Sequence, residues 1–492
     1  MNIVLINHNI VNQKGDFFGT GIPYLPLSLA YVAGALRAKG HNVAVVDAFG
    51  ENPFKVRSEG KFNVQGLTPS EIIEKIPKNI EAIFIYAGQA VAHIIILQII
   101  EEIKRTFSIP IIMLENTQAV TAYSLLKTYK EFLQKGADYV IVGEAEERSC
   151  LLLEQLSNSQ ITVDGLVYKN KEGKLVQNQK TFFNKELDNL PFPAWDLFPV
   201  SNYWKLGYAH GPLSTEKYMP LLTSRGCPYG CEFCVTPLTS GRRWRGRSAK
   251  NVVDEIEHWQ KTYGVTEFHI EDLNPTVNKE RMKELAHEIL THKLDIILKI
   301  VSGTKIETVD EETLDLMYQC GFRYVSISPE SGSVEVLKNM NKPFDHKRGL
   351  ELVRHMHKLG VTTQACFVLG YPGETPKQLM MSRNYVRQLT KAGIDEVALF
   401  IMTPVPGSVA YDLGQSGYKN ISELTFSPTW RSDYKTLNSF RWKTYALFFF
   451  WKLFWHPIKL FKQPFEFFTH HFTTKMMMTA YRIYKMKRFM KQ

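Results

Sequence analysis

Apolar positions along the first 150 residues follow two rhythms. Short β-branched or apolar runs at Ile3–Ile6, Asn42–Asp47, Ala82–Tyr86, Pro110–Leu114 and Tyr139–Val142 alternate with helix-length segments such as Pro26–Lys39 and Ala92–Thr106. Strand alternating with helix predicts a parallel sheet with helices on both faces, and ligands then bind outside the carboxyl ends of the strands. The loops at that edge are Asn7–His8–Asn9, Gly88–Gln89, Glu115–Asn116 and Gly143–Glu144. No G-x-G-x-x-G follows the first strand, which argues against a nicotinamide or flavin site. Residues 151–217 change character, with a hairpin signal around Gly165–Lys174 and a strap, Leu190–Pro199, whose three prolines disfavour ladder or helix. Alternation resumes over 218–410, where Pro220–Ser224, Glu267–Ile270, Ile296–Ser302, Tyr324–Ser328 and the stretch from Gln364 to a turn at Gly370 read as strands. Beyond Pro404–Gly407 the chain becomes aromatic and basic, above all over Tyr445–Phe461. The pattern predicts an α/β protein in four parts: a doubly wound parallel-sheet domain at 1–150, a connector at 151–217, a second α/β domain at 218–410, and a helical tail at 411–492.

Length and composition agree with that division. A chain of 492 residues with 44% apolar content supports two or three domains with real cores. The net charge of +10 is concentrated in the tail: residues 431–492 carry 13 Lys/Arg against Asp433 and Glu466, while the rest holds 46 basic and 47 acidic residues. A near-neutral body argues against nucleic-acid binding. The strand-like start at Asn2–Ile6 gives no sign of export, so a cytoplasmic protein is expected.

The sharpest chemical signal is Cys227, Cys231 and Cys234, half of the chain's six cysteines within eight residues, on a loop with Gly226, Pro228 and Gly230. Structural zinc normally takes four protein ligands, and an ordinary iron–sulfur cluster takes four cysteines. Three thiolates leave one metal corner free to bind something else. A zinc knuckle lacks its fourth ligand, since the next downstream candidate, His258, is 24 positions on. A disulfide framework suits small secreted chains, not this one. Cys150, Cys320 and Cys366 lie singly and read as packing residues, with Cys366 the one to examine further.

The C-x3-C-x2-C spacing with Phe233 before the last cysteine resembles the signature of the radical S-adenosylmethionine (SAM) superfamily. That resemblance implies a [4Fe–4S] cluster on Cys227, Cys231 and Cys234, with SAM chelating the fourth iron, and a partial (β/α)6 barrel over 218–410. It further implies SAM contacts from Phe233 (adenine stacking), Asp272 and more weakly Glu271, Lys305 (SAM carboxylate), Glu330 and Ser331 (amine or ribose hydroxyls), and Gly370 in a tight turn. Glu374 fits a ligand or a helix cap equally. Residues 1–150, with Pro23–His41, Val45–Asp47 and Val142–Glu146, look like the Rossmann-like cobalamin-binding domain attached to many radical SAM enzymes. Two departures are visible: no D-x-H-x-x-G motif is present, and Leu114–Asn116 replaces the glycine pair often found after the fourth strand. His8 and His93 are candidate cobalt neighbours, weighed against ordinary satisfied histidines.

The tail is too interrupted by Lys452, His456 and Pro457 to span a membrane. It suits an interfacial helix on anionic lipid, a helical cap closing the barrel over an apolar substrate, or a subdomain packed on the core. Together these readings predict a cobalamin-dependent radical SAM C-methyltransferase acting on a lipid, isoprenoid or tetrapyrrole. It would draw electrons from flavodoxin or ferredoxin and could sit peripherally at the inner face of the membrane. The alternatives are a radical cyclase, oxygenase or rearrangement enzyme without methyl transfer, and, more remotely, a membrane-associated scaffold without catalysis.

Overall fold

The computed structural model describes residues 1–16, 19–118, 122–158, 160–412 and 417–490. The apolar runs of the first third become parallel strands, ordered in space Tyr139–Ile141, Ile111–Glu115, Ala82–Ala87, Asn2–Asn7 and Asn42–Asp47. Their near-continuous burial suits a sheet covered on both faces, by helices including Leu27–Ala38 and His93–Thr106. The hairpin of the connector, Leu166–Lys169 with Leu175–Gln177, pairs antiparallel onto Tyr139–Ile141 and extends this sheet to seven strands. A three-stranded antiparallel sheet, Ile10–Gln13, Phe62–Gln65 and Val56–Glu59, branches from the same layer. Its four-residue strands carry too short an alternation to stand out in the sequence.

The proline-rich strap runs along the helix Leu27–Ala38. Ala194 N–H donates to Ala30 O at 3.0 Å, and Trp195 is fully buried. Gly34 permits the approach, because a Cβ there would come within 2.8 Å of Phe192 O. The second domain is a six-stranded parallel sheet in which strands adjacent in sequence are adjacent in space. It runs through Tyr218–Leu221, Glu267–Ile270, Ile297–Thr304, Phe322–Glu330, Thr362–Leu369 and Glu396–Ile401. The first and last of these strands do not pair, so the barrel is open on one side.

The tail folds into three helices, Tyr434–Trp455, Pro457–Thr469 and Lys475–Phe489. The last lies across the open side. Its first amides, Lys475 N–H and Met476 N–H, donate to the Glu396 carboxylate at 3.0 and 2.8 Å, and Phe472 N–H just before it donates to Leu213 O at 2.7 Å. No described helix is long and apolar enough to cross a membrane.

Two buried ion pairs join the layers. Arg225 Nη2 donates to Glu146 Oε1 at 2.7 Å, and Arg245 forms a two-pronged pair with Glu144, one arm at 2.9 Å. Burial disfavours ionisation of Glu144, but Arg245 and Arg225 outweigh it and hold the carboxyl below its ordinary range. Breaking one partner of such a pair strands a buried charge. Glu146→Gln is therefore expected to lower stability by about 3–5 kcal/mol, read from the urea midpoint. An unchanged midpoint would show that the layers dock without this pair.

Candidate active site

The cysteine loop is built at the carboxyl end of the first barrel strand. Ser224–Arg225 pairs antiparallel with Arg245–Gly246, and this two-residue ribbon closes a loop that carries all three cysteines. Gly226 is obligatory for the turn: its φ is +77°, and a Cβ would fall 2.0 Å from Arg243 O. The three thiols share one cavity of about 280 Å³ with the ends of the barrel strands. Among the described residues no set of three or more His, Cys, Asp or Glu converges closely enough for a single metal ion. Thr236 N–H donates to Cys234 Sγ at 3.4 Å, and burial pushes the Cys231 thiol up to about 12, opposed by Lys342. Thiols in such surroundings become thiolates by binding a metal.

Around the cysteines the cavity wall includes Phe233, Lys305, Glu330 and Lys342. Glu330 sits at φ +60°, a left-handed conformation that non-glycine residues rarely hold outside constrained sites. Its carboxylate pairs with Lys342, whose ammonium stands 5.8 Å from the centre of the Phe233 ring. Lys305 faces the Tyr229 ring at 5.2 Å and pairs with Glu307 at 2.5 Å.

The other four residues that the resemblance implicated do not line the cavity. Asp272 is fully buried behind it, accepting from Thr223 N–H and Oγ1 (both 2.7 Å) and from Ser224 Oγ (2.5 Å). A carboxylate at a strand end beside a core needs partners, and here the base of the cysteine loop supplies them. Ser331 is also fully buried; its Oγ accepts from Ser333 N–H and lies 3.1 Å from Ser382 Oγ, ordering the turn after Glu330. Gly370 has φ +74° and donates its N–H to Glu374 at 2.7 Å, while its carbonyl accepts from Arg431 at 3.0 Å. Glu271 turns away toward His210, 2.8 Å from its Nδ1.

Deeper in the barrel the inward positions are small or polar, among them Ser326, Ser328, Gln364, Cys366 and Glu396. Cys366 is thus more than a packing residue: it faces the cavity 3.6 Å from Ser326 Oγ, its thiol raised to about 11 by burial. Lys342, His210, Glu396 and Lys475 also line the wall and carry no motif in the sequence.

At the carboxyl edge of the N-terminal sheet, His8, Tyr86, Gly88, Asn116, Gln118 and Glu271 surround a gap of about 50 Å³. Gln118 Oε1 is buried there with no partner among the described residues, which fits an amide-bearing ligand such as cobalamin. As it stands the gap holds only a few waters. His8 is held neutral by burial, its pKa lowered to about 4, and touches Asn9 O through Nδ1 at 2.6 Å. His93 lies elsewhere, satisfied in the core by Tyr123 OH at 2.9 Å and Glu131 at 3.1 Å.

Residues 221–403 match the Radical SAM superfamily. The chain is 27% identical over 446 residues to cytidylyl-2-hydroxyethylphosphonate methyltransferase of Streptomyces wedmorensis, covering 81% of this chain and 80% of that one. It is 24% identical over 405 residues to anaerobic magnesium-protoporphyrin IX monomethyl ester cyclase of Synechocystis sp., covering 80% and 74%. Among solved structures, the radical S-adenosylmethionine methyltransferase TsrM from Kitasatospora setae, with cobalamin and a [4Fe–4S] cluster bound, superposes with a TM-score of 0.63 at 17% identity over 83% of this chain and 73% of that one. The cobalamin-dependent S-adenosylmethionine radical enzyme OxsB, with aqua-cobalamin bound, gives 0.62 at 18% identity over 90% and 56%. At these identities the solved structures show a shared fold.

One group near the site titrates in a useful range. Burial raises Glu374 from its ordinary 4.5 to about 7, only partly offset by the Gly370 and Tyr371 amides. Between those values the folded chain holds a proton that the unfolded chain has lost, so stability falls as pH rises from about 4.5 to about 7. Glu374→Gln is expected to remove up to about 3 kcal/mol of that slope, measured as urea midpoints across the window. An identical slope in the variant would contradict the assignment.

Proposed function

On the premise that residues 221–403 are a radical SAM domain, we propose that this protein is a cobalamin-dependent radical SAM enzyme that methylates an unactivated carbon of an apolar substrate. The observation that carries the reading is the meeting of three cysteine thiols with Glu330, Lys342 and Phe233 on the wall of one largely apolar cavity. When bound, the cluster and SAM supply one-electron cleavage of a sulfonium bond and hydrogen abstraction, and cobalamin supplies a transferable methyl group.

The chain's own residues hold and orient these groups. Cys227, Cys231 and Cys234 would hold the cluster through their thiolates. Phe233 would offer its face to the adenine, Glu330 would accept from the SAM amine or ribose hydroxyls, and Lys305 would face the SAM carboxylate as a point charge rather than a bidentate fork. Asp272, Ser331 and Gly370 act as positioning residues behind that wall. His8 and Gln118 would face cobalamin at the edge of the sheet. The helix Lys475–Phe489 closes the open side of the barrel and excludes water, which strengthens every polar contact inside. A one-electron carrier such as flavodoxin or ferredoxin completes the system.

The substrate is a lipid, isoprenoid or tetrapyrrole, and the tail brings the enzyme to the inner face of a membrane. Phe450, Phe454, Ile458, Phe461, Phe465 and Phe468 form an outward ridge across two consecutive helices, each 64–78% exposed. Exposed Lys435, Lys443, Lys487 and Arg488 on the tail helices carry the charge that complements anionic lipid. A phenylalanine fully buried in the bilayer interface contributes about 1.5–3 kcal/mol.

Two measurements test this reading. Anaerobically reconstituted protein given SAM and dithionite is expected to release 5′-deoxyadenosine, and Cys231→Ala is expected to abolish it. Equal release by the variant would remove the enzyme reading in favour of a scaffold. With methyl-labelled SAM, label in the product marks methyl transfer, and product without label marks the cyclase or rearrangement alternative. Separately, the protein is expected to float with vesicles containing phosphatidylglycerol, and replacing Phe454, Phe461 and Phe465 by Ser is expected to weaken this at least about tenfold. Failure of the wild type to float, or a dimer formed through the ridge, would overturn the membrane assignment.

A further inference from the structure

The returning arm of the cysteine loop, Arg-Arg-Trp-Arg-Gly-Arg at 242–247, splits its charges between two uses. Arg245 and Arg247 are buried and meet Glu144 and Glu255. Arg242 and Arg243 are exposed, and no described carboxylate forms an ion pair with either. Arg242 lies against the loop itself: a Cβ on Gly230, the residue before Cys231, would fall 2.3 Å from its guanidinium. Here the loop reaches the surface, with each residue from Cys227 to Glu232 only half-buried.

Positive charge is concentrated beside it. Arg243, Lys180 and Arg245 stand 5.4, 5.6 and 5.7 Å from the centre of the Phe183 ring, and of these only Arg245 has a carboxylate partner. Lys180 donates instead to the carbonyls of Leu238 and Thr239. The carboxylates around this group are already engaged. Glu115 accepts from Ser124 and from the Leu125 and Gly143 amides, Asp164 pairs with Arg148, and Glu232 accepts from Tyr371 OH at 3.1 Å. Exposed Lys185 and Glu186, just past Phe183, balance each other. The surface excess is therefore that of Arg242 and Arg243. Other exposed cations of the body find local partners, as Arg37 does in Asp196 and Lys250 in Asp254. Apolar area adjoins the two arginines. Phe182 is 41% exposed beside Phe183, and Val409 is 52% exposed next to Ala410, whose N–H donates to Glu232 O at 2.9 Å. Apolar contacts with arginine around them are the composition of a protein–protein interface.

A cluster on this loop needs an electron from outside, and tunnelling weakens steeply with distance, so the donor has to seat against the loop. We propose that Arg242 and Arg243, with Phe182 and Val409 beside them, are the docking face for an acidic one-electron carrier protein. This rests on the radical SAM reading, and it fixes where the reductant seats and the sign of its charge. The carrier is oxidised by one electron, the cluster is reduced by one, and no atom changes hands. Charge complementarity of this kind steers encounter and is weakened by salt.

The test uses two acidic carriers, flavodoxin and a plant-type [2Fe–2S] ferredoxin, with the full-length, cluster-reconstituted protein. Calorimetric titration of the oxidised carriers is expected to show at least one of them binding the wild type, and binding more weakly as salt is raised. Arg242→Glu/Arg243→Glu is expected to weaken that binding at least about tenfold. Lys78→Glu/Lys358→Glu, an equal charge change on exposed residues that precede the amino ends of strands, is expected to leave it within about twofold. The arginine variant is also expected to keep its 5′-deoxyadenosine release with dithionite, a small reductant that needs no docking face, while losing release driven by the reduced carrier. Failure of both carriers to bind the wild type, binding that the arginine variant keeps, a loss matched by the lysine variant, or an equal loss with dithionite would each overturn the proposal. The wild-type salt response needs no variant to fold. Because binding is read with oxidised carriers, it decides the docking face even where no 5′-deoxyadenosine forms, a result that would count against the radical reading instead.

Discussion

The buried charge pairing between the cysteine loop and the N-terminal sheet is the constraint around which this molecule is organised. Arg225 stands two residues before Cys227, and Arg245 closes the same loop, yet both find their carboxylates in the other domain, at Glu146 and Glu144. Tyr31 adds an aromatic face 5.0 Å from the Arg225 guanidinium. A loop that must hold a metal cluster needs a fixed base, and guanidinium–carboxylate pairs give directional, two-point fixing. Because these pairs cross the domain boundary, the position of the cluster loop and the docking of the sheet edge are set together. Asp272 completes the base from within the barrel, gathering Thr223 and Ser224 beneath the loop.

The barrel above that base is hollow for a structural reason. Closed barrels fill their interiors with layers of bulky branched side chains. Here the six strands leave one side open, and small or polar residues such as Ser326, Gln364 and Cys366 occupy inward positions. They satisfy one another, as when Ser326 Oγ donates to Gln364 Oε1 at 2.9 Å, so the cavity does not rest on unpaired polar atoms at these positions. The tail then supplies the missing wall. Its last helix seals the gap from Glu396 to Leu213, while the two helices before it turn an aromatic ridge outward. The aromatic ridge and the contacts that close the barrel thus fall on different helices.

Much of this was legible in the sequence, because periodicity and turn residues report local structure directly. The five parallel strands of the N-terminal sheet lie within a residue or so of their apolar runs, and the cysteine loop declares itself by spacing. Roles that depend on side-chain direction were less legible. Asp272 and Ser331 sit at strand ends, as expected of ligands, but point behind the wall, where backbone amides and hydroxyls meet them. Lys342, His210 and Lys475 had no local signal, since each gains its meaning from a partner on another element. Glu144 stood out as a loop residue at a ligand edge and Glu146 as part of the stretch resembling a cobalamin-binding domain, whereas folding uses them to hold Arg245 and Arg225.

The central claim is that three thiolates hold a four-iron cluster with one corner open to SAM. Electron paramagnetic resonance of the reduced, reconstituted protein, with iron and sulfide counted per chain, addresses it most directly. The expected result is about four irons and four sulfides and a spectrum that changes on adding SAM. Zinc in place of iron, or a reduced-cluster spectrum that SAM leaves unaltered, would contradict the account.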